Sequence, residues 1–470
     1  MKIYVLAGWE LISDTRITCQ VVYSLINYGF LPRKELTMSN NNNQYLSVGI
    51  DVGSAFSFMT IVDHQERIIL KPFKIFHDRL DSLQRACLEI KKAEELHSMK
   101  SRTFLESTGI YHFPLFCYLK DSGFEVFVIN PLITHSIKNF GIRKVKNDKL
   151  DSIGIAKLGL RPDLKTSVMP VDLVLELRSL TRKYYELMDT RSSYVNRLQT
   201  DLHTVFPQFL PIFSNVTGVT STMILKEYPT PDKILCGDRN TIIEQIKKAS
   251  RKGQARAVAV YEKLILAASA AKIFGASIDS IFFNISINLE MIEAVNKQVT
   301  SLMNRIHSYI EEHKDEIFVH QIHLLETIIG IGFLSAVAIM CEIGDFSAFK
   351  NPKQLFAYFG LDPTVKQSGK FNATDVHMSK RGSRIARRAL FAVALASIRC
   401  KRNGIPLNSV LMDYYKKKCE SKAKMVAIGA IMHKLCNIIF AVLRDKKPYM
   451  IINPAEHCLI YRNVALSNAA

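Results

Sequence analysis

Between residues 44 and 129, apolar and polar positions fall into short blocks rather than long periodic runs. YLSVGIDVG is an apolar run that ends at a glycine, and SFMTIVD and RIILKPFKIF follow it closely. All three are rich in β-branched and aromatic residues and are separated by turn-forming positions, so they predict three consecutive strands. A helix is predicted over 79–98, then strand SRTFLES, helix IYHFPLFCYLKDSG, strand FEVFVIN and a helix after Pro131. Three strands followed by alternating helix and strand predict an α/β layer on a mixed sheet.

From Leu173 the period lengthens. Leu173, Leu177, Leu180, Tyr184, Leu187, Tyr194, Leu198 and Val205 form a heptad-like seam, broken at Arg191 and stopped by Pro207. A second seam runs through Ile285, Leu289, Ile292, Val299, Met303, Ile306 and Ile310. Two long amphipathic helices around a helical insert with a basic stretch, KKASRKGQARA, predict a protruding coiled-coil arm. Its seams are expected to pair between protomers; the alternative is an ordinary bundle within one protomer. Further on, LLETIIGIGFLSAVAIMCEIGDF has the form helix, Gly-Ile-Gly turn, helix. Gly330 and Gly332 resemble a helix-hairpin-helix, whose turn lets backbone N–H groups approach a phosphate.

The chain has 470 residues, more than one ordinary core, with 48% hydrophobic and 22% charged residues, the balance of a folded protein. No uninterrupted apolar run has the ~18–20 residues of a membrane span, so no membrane association is expected. Nine scattered cysteines, none in a CxxC pair, predict a reducing cytoplasm and neither a disulfide framework nor structural zinc. The first 37 residues lack a basic n-region and a small-residue cleavage site, so they do not resemble a signal peptide. Lys34-Glu35 is a dipeptide whose codons can spell a ribosome-binding site for initiation at Met38, so residues 1–37 are expected to be an upstream read-through leader. The expected division is leader 1–37, α/β domain 38–165, helical coiled-coil region 166–320, C-terminal domain 321–445 and tail 446–470.

A formal charge of +19 points to a polyanionic partner, most simply nucleic acid. From Lys366 to Arg402 there are ten Lys/Arg against one acid, Asp375. Arg384, Arg387 and Arg388 fall at i, i+3 and i+4 on one helix face, and with Lys366, Lys370, Lys380 and Arg381 they predict a phosphate-binding stripe. Ser368, in KQSGK, is a candidate nucleophile beside positive charge that could stabilise an oxyanion; Ser379 and Ser383 are its rivals.

Four acids stand out by position. Asp51 lies inside an apolar strand, where an uncompensated carboxylate costs several kcal/mol. Glu106 ends the fourth strand, and Asp148 and Asp151 sit three apart at a helix start, on one face. Each has a bland reading: a turn before Gly53 for Asp51, a surface strand end for Glu106, an N-cap for Asp148, a dipole-favoured first-turn acid for Asp151. Together they form a set that could converge, and hard carboxylate oxygens suit Mg²⁺ or Mn²⁺ and two-metal phosphoryl transfer. GIDVGS also resembles the first phosphate loop of actin-like kinases and chaperone ATPases. The second loop and the Gly-rich adenosine motif of those proteins are absent from the sequence.

The ordered set GIDVG, LEST-GIY, KNDKLD, IxGIG, FAYFGLDPxxxQSG and SKRGxxxxRRAL resembles the DEDD transposases of bacterial insertion sequences, the IS110 type, related to site-specific DNA invertases. The likeness runs from about 45 to 445. It implies a RuvC-like (ribonuclease H-like) domain whose Asp51, Glu106, Asp148 and Asp151 bind Mg²⁺, a coiled-coil arm, and a mainly α-helical C-terminal transposase domain. It further implies that Ser368 becomes covalently linked to DNA. The partners it implies are donor and target DNA, a structured bridge RNA that guides the choice of both, and a homodimer that assembles into a tetramer. Action in the bacterial cytoplasm, at the nucleoid, is expected. The runner-up is a RuvC-like metal-dependent Holliday-junction endonuclease in which water attacks and Ser368 is a loop residue.

Overall fold

A computed structural model describes residues 44–106, 111–129, 147–162, 164, 172–364, 367–368, 371–372, 377–453 and 456. The leader, the helix expected after Pro131 and the tail beyond residue 456 lie outside them. The chain divides into two compact units, 1–169 and 170–470.

The first unit runs β1 (Leu46–Val52), β2 (Phe56–Val62), β3 (Ile68–Phe76), α1 (Leu80–His97), β4 (Ser101–Glu106), α2 (His112–Asp121), β5 (Glu125–Ile129) and α3 (Asp148–Gly159). The sheet order is β3-β2-β1-β4-β5. The first three strands are antiparallel neighbours, whereas β1, β4 and β5 are parallel, giving the mixed sheet read from the sequence.

Alternation along β1 decides what covers each face. Leu46, Val48, Ile50 and Val52 point into the larger core with Ala86, Ile90, Leu115, Phe116 and Leu119 of α1 and α2. Ser47, Gly49 and Asp51 point the other way, toward α3. There the Ser47 hydroxyl donates to the Ala156 carbonyl at 2.6 Å, and the Thr60 and Ser152 hydroxyls pair at 2.7 Å. A smaller cluster of Phe104, Ile129, Ile155 and Leu158 completes that face. Gly49 is what permits the approach: a Cβ there would lie 2.2 Å from the Ala156 amide nitrogen and 2.4 Å from the Ser152 carbonyl oxygen.

In the second unit, α4 (Asp172–Val205) and α9 (Asp279–Glu312) each span 34 residues. They run antiparallel: Leu173 and Leu177 share a core with Ile306 and Ile310, while Leu198 and Val205 meet Ile285, Leu289 and Ile292. The two seams expected to seek a partner protomer are therefore buried against each other within one chain. The insert between them comprises α5 (Val219–Glu227), α6 (Pro231–Cys236), α7 (Arg239–Ser250) and α8 (Gln254–Ile273), packed around Phe206 and Phe209.

The C-terminal helices are α10 (Ile317–Glu326), α11 (Phe333–Ile343), α12 (Pro352–Tyr358), α13 (Arg384–Ser397), α14 (Ser409–Cys419) and α15 (Lys424–Asp445). They share one core with the base of α4 and α9. Between α10 and α11, Gly330 has φ +101°, and a Cβ there would meet the Ser397 backbone nitrogen at 2.8 Å, so its freedom serves packing on α13. Arg182 of α4 forms a bidentate pair with Glu342 of α11, at 2.9 and 3.0 Å, and the carboxylate is only 4% exposed.

By length and composition α15 is apolar enough to cross a membrane. His433 and Lys434 interrupt its apolar run. Ile428, Ile431, Leu435, Ile439 and Leu443 nevertheless put it in the core, where a buried helix passes the same test.

Candidate metal centre and serine hairpin

Three of the four acids converge. Asp51 near the end of β1 and Asp148 and Asp151 in the first turn of α3 offer carboxylate oxygens that all lie within 4.8 Å of one another. Asp148 is exposed and the other two are half-buried, so the group opens to solvent. Glu106 follows the paired residues Ile50 and Leu105 by one position in β4, which puts it beside Asp51 on the sheet face that α3 covers. It is not part of the close triad.

Local sequence explains the placement. Asn147, not Asp148, caps α3: its side-chain oxygen accepts from the Lys149 amide at 3.1 Å, and its extended backbone (φ −146°) turns the chain into the helix. Asp148 and Asp151 are thus free of the capping role one of them had been given. Both still sit where the helix dipole favours negative charge. Gly49 and the Thr60–Ser152 hydrogen bond then fix α3 against β1 and β2. Neither Asn147 nor Gly49 stood out in the sequence; the signal present was a second capping residue beside Asp148 and a glycine two positions before Asp51.

The donor set is all carboxylate, with no His or Cys in the group. Like charges this close destabilise one another unless a cation lies between them. The chemistry fits a hard, oxygen-seeking divalent ion better than zinc or copper.

Ser368 lies in a two-residue strand, β6 (Gln367–Ser368), paired antiparallel with β7 (Phe371–Asn372), where it stands opposite Phe371. Its side chain, Lys366 and Lys370 lie outside the described residues. Beneath the hairpin the chain is clasped. The Thr364 amide donates to the His377 carbonyl at 2.8 Å, and the Ser379 hydroxyl donates to Asp362 at 2.6 Å. Gly360 (φ +66°) meets Gly382 so closely that a Cβ on Gly382 would be 2.0 Å from the Tyr358 carbonyl oxygen. Both rivals of Ser368 have structural tasks, since Ser383 caps α13 by accepting from the Ala386 amide at 3.1 Å.

Arg387 donates to the carbonyls of Phe359 (3.0 Å) and Gly382 (2.7 Å), and burial pulls its guanidinium below its usual value. Arg388 bonds Asp189 of α4 at 2.6 Å and lies over the Tyr185 ring; Arg384, 81% exposed, reaches the same Asp189 at 3.5 Å. The spacing was read as a surface face, yet Ala386, Ala389 and Leu390 beside these arginines are buried, so the helix carries its cations at the edge of the core. Lys380 and Arg381 remain exposed.

Two family models match the chain. One, described as Transposase, of the DEDD IS110 type, covers residues 48–207; the other, described as the Transposase IS116/IS110/IS902 family, covers 322–408. The first segment holds all four carboxylates and the second holds Ser368. A protein of insertion element IS110 from Streptomyces coelicolor is 23% identical over 344 residues, 72% of this chain and 80% of that protein. One of insertion element IS116 from Streptomyces clavuligerus is 23% identical over 404 residues, 85% of this chain and 95% of the other. A pilin gene-inverting protein of Moraxella bovis is 32% identical over 130 residues, 28% of this chain and 39% of that one. The solved structure of T. thermophilus RuvC in complex with a Holliday junction substrate aligns with 24% of this chain and 90% of its own, at 10% identity and a TM-score of 0.18.

Proposed function

The chain belongs to the IS110-type transposase family, and from that premise we propose that it cuts and rejoins the DNA of an insertion sequence through a Mg²⁺-assisted serine–DNA intermediate. What supports this reading is the convergence of Asp51, Asp148 and Asp151 on the sheet face beside Glu106. These four residues would hold Mg²⁺ or Mn²⁺, which when bound polarises a phosphodiester and favours deprotonation of a nearby hydroxyl.

Ser368 supplies that hydroxyl. Its Oγ bonds to phosphorus as the P–O bond to one deoxyribose breaks, and the serine proton ends on the released sugar hydroxyl. One phosphodiester replaces another. Attack by the sugar hydroxyl of a second strand therefore rejoins DNA and frees Ser368 without a nucleotide cofactor. The clasp of Asp362, Ser379 and Arg387 holds the base of the hairpin, while Lys380 and Arg381 meet DNA phosphates. By the same family resemblance the enzyme works in the bacterial cytoplasm as a dimer that pairs into a tetramer. A structured RNA selects donor and target by base pairing, with the protein reading backbone shape.

The test is a denaturing gel of the protein with end-labelled element-junction DNA, in Mg²⁺ and in EDTA. A labelled band at protein mass, absent in EDTA and in Ser368→Ala, supports the reading. Cleavage without any such band favours the water-attacking endonuclease.

A further inference from the structure

The positive charge of the C-terminal helices is free in a place the arginine stripe did not indicate. Helices α14 and α15 form a hairpin whose residues 409–434 carry six lysines (416, 417, 418, 422, 424 and 434) against two acids, Asp413 and Glu420. Several exposed lysines elsewhere pair with an acid one helical turn away: Lys92 with Glu89, Lys183 with Glu186, Lys247 with Glu244, Lys314 with Glu311. Among the described residues, none of the six lysines of the hairpin forms such a pair, and five of them are exposed.

Two are held in place by an aromatic ring rather than by a carboxylate. Lys418 and Lys434, from the two helices, direct their ammonium groups to the same Tyr414 ring, 5.4 and 5.2 Å from its centroid. That keeps two like charges within about 11 Å of each other, the axial span of about four successive phosphates on one strand. Helix electrostatics explains only part of the set. Lys416, Lys417 and Lys418 lie in the last turn of α14, where a dipole favours cations. Lys422 and Lys424 stand at the start of α15, where it disfavours them, so a partner with negative charge is the better account. The hairpin begins at Ser409, beyond the segments matched by either family model.

We propose that the α14–α15 face is a second DNA-contacting surface, gripping the phosphate backbone of duplex DNA without reading its sequence. Lys417, Lys418, Lys422, Lys424 and Lys434 make the contacts, and Tyr414 pre-places two of them. The proposal does not depend on the Ser368 chemistry.

The experiment measures affinity of the full chain for a duplex of arbitrary sequence between about 50 and 200 mM salt. In Lys417→Gln/Lys418→Gln/Lys434→Gln, the slope of log K against log salt should fall by about 2.7, and binding near 0.1 M salt should weaken on the order of 100-fold. The matching triple Lys→Arg variant should restore both. Lys422→Gln/Lys424→Gln, at exposed positions, should move the slope in the same direction by about 1.8 and guards against a folding defect in the triple variant. Unchanged slope and affinity in both Gln variants overturn the proposal. So does a loss confined to single-stranded RNA with duplex DNA binding intact, which assigns the face to RNA instead.

Discussion

Replacing Gly49 with alanine adds one methyl group and should disable the acidic centre without touching a carboxylate. The new Cβ falls 2.2 Å from the Ala156 nitrogen, 2.4 Å from the Ser152 oxygen and 2.7 Å from the Ala156 Cα, all backbone atoms of α3 that no rotamer can move. Extending 2.2 Å to an ordinary 3.4 Å contact requires α3 to retreat by about 1.2 Å. That retreat carries the Ser47–Ala156 and Thr60–Ser152 hydrogen bonds, now 2.6 and 2.7 Å, past useful length. Overpacking costs about 1–3 kcal/mol, and two weakened buried hydrogen bonds add roughly 1–3 kcal/mol. The loss is large against a typical stability of about 5–15 kcal/mol, yet it leaves a fold to measure. Because α3 bears Asp148 and Asp151 while β1 bears Asp51, the carboxylates separate by the same amount. Thermal melts with and without Mg²⁺ read both effects. Saturating metal should stabilise the unaltered protein by about 2.7 kcal/mol at a hundredfold excess over Kd, a rise of a few degrees. Gly49→Ala should melt lower and lose most of that rise. Gly154→Ala is the control: it lies in the same helix with nothing within 4 Å of its Cβ, and should be neutral or stabilising by up to about 1 kcal/mol. Gly49→Ala melting like the parent with its full metal response would refute the close-approach account.

Asp148→Asn should melt within about 0.5 kcal/mol of the parent, because Asn147 holds the cap, while strand cleavage falls at least about 100-fold; Asn147→Ala should cost about 1 kcal/mol in a denaturant titration. Arg387→Lys cannot span two carbonyls as the guanidinium does, so it should lose about 1–3 kcal/mol by the same titration yet leave the salt slope of DNA binding unchanged. A slope reduced by about 0.9 would instead make Arg387 a phosphate ligand. Arg182→Ala strands the buried Glu342 carboxylate; since the arginine is half exposed, about 2 kcal/mol is expected rather than the full cost of breaking a buried pair. Arg182→Ala/Glu342→Gln should recover part of it.

The sequence made the strands of the first unit legible because each carries its own alternation and turn. It also made the two aspartates of α3 legible, since a spacing of three on a helix brings side chains together whatever else the chain does. Their meeting with Asp51 was not readable in distance, because it depends on Gly49 and Ser152 across the face of a strand. The intrachain partner of Arg384 and Arg388 was not readable for a related reason: Asp189 lies nearly two hundred positions earlier in the chain, and no local window contains it. The seams of α4 and α9 were each recognisable, but a seam does not announce its partner. The helical insert brings the two back antiparallel, and complementarity within one chain satisfied both.

The most direct test of the central reading is to locate the bond itself. Protein is trapped on nicked junction DNA in Mg²⁺, digested with nuclease and protease, and the nucleotide-bearing peptide is sequenced by mass spectrometry. The account predicts a nucleotide on Ser368, lost in Ser368→Ala, in Asp151→Asn and on chelation of the metal. A nucleotide on another side chain, or DNA cut and rejoined by Ser368→Ala, would contradict it.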